Sequence, residues 1–290
     1  MTRACAIGFL ALAAACASAP ADYTETIPGS EKGRTVRFDM VFIPGDGSIR
    51  PFWIGKYEVT WDEYMAFASP DFGDDEELPP WTREGWAKFR GDDDTEVRWR
   101  REEADAVSFP SRPYEPPDHV AGQEPWGMGR RPVMKLTSRM AREYCKWLTK
   151  VTGRPYRLPT EREWEHAAGP VPPGDLGEFA WFEANSAGRM HEVGRKRPNA
   201  RGLYDVWGNA AEYVGETIEP PREGPWFDDR RPRGVAKGGC WADAAEALRA
   251  GARRLEELAW DLSDPERPRS ICWHREGIYA GLRVARGIQE

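Results

Sequence analysis

Residues 157–169 read RLPTEREWEHAAG. Thr160-x-x-Glu163 is a capping box, in which a threonine hydroxyl and a glutamate carboxylate satisfy each other's backbone N–H groups, so a helix opens at about 161. Gly169 supplies the stop, because glycine adopts left-handed backbone without a Cβ penalty. The same grammar appears just upstream in TSRMAREYCKWLTKVTG, 137–153. There Met140, Tyr144, Trp147, Leu148 and Val151 fall on one apolar stripe at helical period, and Gly153 ends it. Cys145, at the edge of that stripe, reads as a small buried hydrophobe. A third helix, WDEYMAFA, opens behind a second capping box, Thr60-x-x-Glu63. His166 rides the 157–169 helix without a partner at metal-ligand spacing, and its role reads as structural.

Working outward, VRFDMVFI (36–43) reads as a strand ending at the turn PGDG, and FWIGKYEV (52–59) as a second. Residues 202–216, 235–245 and 280–286 read as short strands and turns. Strand and helix do not alternate over long stretches, so the class is α+β with much irregular structure rather than a doubly wound sheet. Fourteen tryptophans, 25 prolines and 29 glycines fit a loop-rich fold pinned by aromatic anchors. Residues 69–131 are polar and proline-rich, with acidic clusters at 71–77 and 92–94, and read as a surface insertion of loops. A net charge of −7 gives no basic footprint for nucleic acid.

The first 21 residues, MTRACAIGFLALAAACASAPA, place Arg3 before an apolar run from Ala6 to Ala15 and then small residues. That is a secretory signal pattern, too short to span a bilayer permanently. Two processing routes stand open. Ala19-Pro20-Ala21 offers ordinary cleavage, whereas Ala13-Ala14-Ala15-Cys16 resembles a bacterial lipobox, with Ala13 where leucine is usual. Residues 22–35 then read as a tether. The expectation is an extracytoplasmic protein, either secreted, periplasmic or a lipoprotein whose sole membrane contact is a lipid anchor at Cys16. The folded part keeps Cys145, Cys240 and Cys272. An odd count leaves at least one thiol outside any intrachain disulfide, and an oxidising compartment permits a Cys240–Cys272 bridge.

Four stretches taken together resemble one family. WIGKYEVTWDEYMAF, YCKWLTKVTGRPYRLPTEREWEHAA, NARGLYDVWGNAAEY and AGLRVAR stand in the order and rough spacing of the formylglycine-generating enzyme (sulfatase-modifying factor) family. The match spans about 36–287, apart from the insertion. The resemblance implies a single domain with a C-type lectin-like α+β fold. Active members oxidise a sulfatase cysteine to formylglycine with oxygen, using two cysteines that bind Cu(I), a soft ion that prefers thiolates. In this chain Gly238-Gly239 and Trp241 set the register, and the two cysteine positions fall at Asp243 and Leu248. Cys240 occupies a place usually held by serine. The resemblance also implies calcium, a hard cation suited to mixed oxygen ligands, at Asp205 and Glu212 by side chain and at Gly208 and Ala210 by carbonyl. The turn-capping role of Asp205 and Asn209 is the alternative. The family's other calcium loop begins at Asn185 and Ser186, but its later acid is missing here.

These readings imply a non-oxidase relative, a pseudoenzyme that keeps the scaffold and binds a peptide, glycan or protein partner, with copper absent. The alternative is a copper-dependent, formylglycine-generating oxidase that uses Cys240 and Cys272 as a replacement thiol pair near His274. An iron-dependent sulfoxide synthase needs a histidine-rich helical module, and four scattered histidines (119, 166, 191, 274) do not supply one.

Overall fold

The computed structural model describes residues 20–27, 35–68, 126–219, 232–257 and 277–288. The signal and lipobox residues up to 19, the acidic clusters, Cys272 and His274 lie outside them. Five strands form a first sheet in the order β1-β2-β3-β9-β4: Tyr23–Ile27, Val36–Ile43, Phe52–Gly55, Ala285–Gly287 and Tyr156–Arg157. All neighbours in it are antiparallel. Residues 23–27, read from the sequence as tether, are instead the edge strand β1, with Tyr23 opposite Met40 and Ile27 opposite Val36. Their polar letters hid this because an edge strand needs only one buried face, and Glu25 and Ile27 supply it.

The period-two pattern of β2 covers both faces of this sheet. Val36, Phe38 and Met40 enter one apolar cluster, whereas Val41 and Ile43 enter another with Phe52 and Ile54. The first cluster holds α1 (Trp61–Ala68) and α2 (Ser138–Thr152), and the second holds α3 (Glu161–Ala168). Helix starts and stops follow the sequence signals. Thr137 accepts from the Met140 N–H, and Gly153 closes α2 at φ 69°. Thr160 and Glu163 form the full capping box of α3, and both Arg157 guanidinium nitrogens donate to Glu163 at 2.6 and 2.7 Å. The buried Cys145 packs with the α2 stripe.

The second sheet runs β7-β6-β5-β8, namely Arg254–Leu255, Arg233–Lys237, Ala211–Ile218 and Ala280–Leu282. Its β5–β8 pair is parallel. The chain leaves this sheet at Leu282 and enters the first at Ala285, so Arg283 stands at the step between the sheets. The sequence boundary of the insertion also moves. Trp126 is buried edge-on against Trp241 at 5.1 Å, and the Gly129 and Arg131 carbonyls accept from the first N–H groups of α1, so 126–131 belong to the body. Among the described residues no helix is long and apolar enough to cross a membrane.

Candidate functional site

The turn after β6 carries the residues that the resemblance marks. Gly238 and Gly239 both sit at positive φ, 91° and 72°. A Cβ on Gly238 would stand 2.7 Å from the Val206 carbonyl oxygen, so the close approach needs glycine. The turn delivers Cys240 into the core at 0 % exposure. Its thiol is pushed up to about 12 by burial, with Arg254 pulling weakly the other way. A thiol held protonated is a poor nucleophile at neutral pH. Cys240 is free among the described residues, and its pairing with Cys272 falls outside them.

Asp243 closes the turn. Its Oδ2 accepts from the Cys240 N–H at 2.8 Å, and its Oδ1 accepts from Arg254 Nη2. The Arg254 guanidinium also lies 3.6 Å from Cys240 Sγ and 5.1 Å from the Tyr279 ring, which stacks on Trp241. Leu248 is buried, with Cδ1 3.1 Å from where a Gly239 Cβ would be. The two positions that the resemblance assigns to thiolates therefore hold an internal ion pair and a packing side chain.

The carboxylates expected to hold calcium sit deeper, between the sheets. Arg283 Nε donates to both Glu212 oxygens at 3.0 and 2.9 Å, and Nη2 adds a bond of 2.5 Å to Oε1. Trp164 Nε1 donates to Oε2 at 2.6 Å. Three N–H groups thus engage the carboxylate, with the single Arg283 Nε–H shared between its two oxygens. Asp205 turns Oδ2 onto the Gly194 N–H at 2.6 Å, and only its Oδ1 is buried without a partner. Gly208 donates to the Gly238 carbonyl and bridges to Trp181, and the Ala210 N–H donates to Glu58 at 2.9 Å. Asp205 and Glu212 thus stand within each other's field, and calcium, which takes six to eight oxygens, would have to displace the guanidinium and the indole that engage Glu212. Of the two carboxylates, Asp205 Oδ1 is the side-chain oxygen that is buried without a partner. Among the described residues no group of three His, Cys, Asp or Glu is arranged around a metal position.

Two members of this cluster escaped the sequence reading. Glu58 binds the Asn209 side chain at 2.8 Å and the Ala210 N–H. Burial, then Asp205 and Glu212, raise it well above the carboxylate range. Asp205 is raised to about 6, chiefly by burial. Arg283 faces all three acids, and Lys196 adds its field at Asp205. The available signal was charge inside each apolar motif, Glu58 beside Lys56 in WIGKYEV and Arg283 beside Arg286 in AGLRVAR. A charge in such a run must find a partner. The shortened loop at 185–191 is knitted by side chains instead: Asn185 binds Ala180 and Phe182 backbone, and His191 Nε2 lies 2.7 Å from the Ser186 carbonyl. His166 makes a 2.9 Å bond to the Pro44 carbonyl, the structural role expected.

Comparison with known proteins follows the same outline. Residues 29–260 match the model of the sulfatase-modifying factor enzyme 1-like domain. The formylglycine-generating enzyme of Streptomyces coelicolor is 28% identical over 196 residues, 60% of this chain and 50% of that protein. The inactive C-alpha-formylglycine-generating enzyme 2 of Mus musculus is 28% identical over 139 residues, 40% of this chain and 39% of that protein. The chain thus spans half or less of the length of these relatives. Among solved structures, Treponema denticola variable protein 1 superposes with a TM-score of 0.54 at 20% identity, over 92% of this chain and 99% of that one, which supports the fold alone.

Proposed function

Because this chain belongs to the sulfatase-modifying factor enzyme 1-like domain family, we propose that it is a non-oxidase member that binds a peptide, glycan or protein partner. The observation that carries this reading is Asp243, which occupies the first thiolate position of the resemblance and is tied to Cys240 N–H and Arg254. A carboxylate already paired with a guanidinium offers a soft Cu(I) ion nothing, and neither does the buried Leu248. A relative named inactive is consistent with loss of the reaction on this scaffold. The alternative thiol pair would have to bind copper and meet a substrate through Cys240, which is fully buried.

The test is direct. The purified chain, given Cu(I), oxygen and a peptide carrying the C-x-P-x-R motif, produces no aldehyde by mass spectrometry. Copper-dependent aldehyde that disappears in Cys240→Ser would overturn the reading and establish the oxidase. Export is the second part of the proposal and rests on the sequence pattern of residues 1–21. Intact-mass analysis after expression in a bacterium that processes lipoproteins separates a lipidated Cys16 from a chain beginning at Asp22. An unprocessed chain would refute export.

A further inference from the structure

One face of the molecule gathers positive charge in a chain whose net charge is −7. Its centre is aromatic: the Tyr57 and Tyr204 rings lie 5.0 Å apart. Lys56 Nζ stands 5.6 and 5.9 Å from the two ring centroids, and the Arg130 guanidinium 5.5 Å from Tyr57. Gly194 permits this packing, since a Cβ there would come within 2.8 Å of Tyr57 Cε1. The Val193 N–H donates to the Arg130 carbonyl at 3.0 Å, which joins the Arg130–Arg131 turn to the loop bearing Arg189, Arg195 and Lys196.

Two of these cations are paired with carboxylates, and Lys196 is turned onto the Gly177 carbonyl. Glu192 accepts two bonds from Arg195, and Asp39 lies 3.6 Å from Lys56. Glu192 is held below its ordinary range first by the Arg195 bonds, with Arg131 and Arg130 adding to the field. His191 is lowered by burial, then by Arg189, Arg131 and Lys196. Arg130, Arg131 and Arg189 have no ion-pair partner among the described residues, and Arg131 Nε is buried with no acceptor. Unpaired guanidinium forks around an aromatic pair form an incomplete recognition surface, because each fork matches a two-oxygen anion and the rings offer apolar contact.

We propose that this face binds an acidic peptide segment, with its carboxylates on Arg130, Arg131 and Arg189 and its chain against Tyr57 and Tyr204. Charge complementarity selects the class. Glu192, one of whose oxygens accepts from both Nε and Nη2 of Arg195, shows a carboxylate accommodated on this face. This inference deepens the binding reading above and rests on it.

A fluorescent glutamate hexapeptide titrated into the full chain at low salt reads the affinity by anisotropy. The expected result is saturable binding that salt weakens and that Arg130→Glu with Arg189→Glu weakens by at least about tenfold. Arg249→Glu, at an exposed position away from the face, leaves it within about twofold. Arg189→Ala alone, with an unchanged thermal midpoint, guards against a folding defect and lowers the affinity in the same direction. Absence of binding, equal affinity in the double variant, or tighter arginine-dependent binding of a sulfated oligosaccharide would each overturn the proposal. Those outcomes leave the aldehyde assay, and the non-oxidase reading it tests, untouched.

Discussion

Arg283 and Glu212 face each other at 0% and 1% side-chain exposure, joined by the guanidinium fork in the space between the two sheets. The rest of the guanidinium reaches the Gly55 carbonyl at 2.9 Å and the Tyr204 carbonyl at 2.8 Å. One side chain therefore ties β5, the end of β3 and the loop before the 205–212 turn. Removing one partner of such a pair strands the other charge in the core, at a cost of about 3–5 kcal/mol. Arg283→Met is expected to lower stability in urea unfolding by that amount. Arg283→Met with Glu212→Gln should recover part of it, because no charge is then left alone. Equal losses in the single and double variants would show that packing, not charge, is what matters there.

Gly208 gives a steric test of the same region. It sits at φ 79°, and an added Cβ would fall 2.0 Å from the Trp181 carbonyl oxygen, a backbone atom that cannot swing away. Gly208→Ala should therefore cost more than about 3 kcal/mol. Gly174 has a similar backbone, φ 100°, but open space around it. Gly174→Ala should cost only the strain, about 1 kcal/mol. Comparable losses in the two variants would remove the steric argument.

Stability should also fall as pH rises through neutrality. Burial lifts Glu63 from 4.5 to about 7 and Asp205 from 3.8 to about 6. A carboxyl with a raised folded pKa binds its proton more tightly in the native state. Its contribution is complete below the unfolded value and is lost as pH passes the folded one. For Glu63 the loss is on the order of 3 kcal/mol. The acid limb comes from groups such as Glu161, held at about 2 first by hydrogen bonds from Arg253. The melting temperature is expected to peak near pH 5 and decline toward pH 8, and Glu63→Gln should flatten the decline. A melt that rises steadily from pH 5 to pH 8 would contradict the burial of these groups.

Calcium should leave the melt unchanged. A native-only ligand at a hundredfold its Kd adds about 2.7 kcal/mol, which for a chain of this size is roughly 5–10 °C. With Glu212 held by Arg283 and Trp164, scans with excess calcium and with chelator are expected to coincide. A chelator-sensitive midpoint, blunted by Asp205→Asn, would mean that a cation displaces Arg283 from Glu212.

Much of the scaffold was written locally. Helices α2 and α3 start and stop where Thr137, Gly153, Thr160 and Gly169 say, because capping is a contact between residues only a few positions apart. Strand β2 occupies 36–43 because an alternating apolar pattern needs no distant information to extend. Strand β1 was different: Tyr-Thr-Glu-Thr-Ile reads as tether until β2 lies beside it. The site depended on tertiary structure in the same way. Nothing near Glu212 in sequence announces that Arg283, 71 residues away, pairs with its carboxylate, or that the same guanidinium reaches Gly55 across 228 residues. For Cys240 the sequence left packing, a bridge to Cys272 and a thiol site open, and the fold buries it against Arg254 and raises its pKa. Local backbone choices come from neighbours in the chain. The partner of a buried charge depends on which sheets the topology brings together, and only the folded chain decides that.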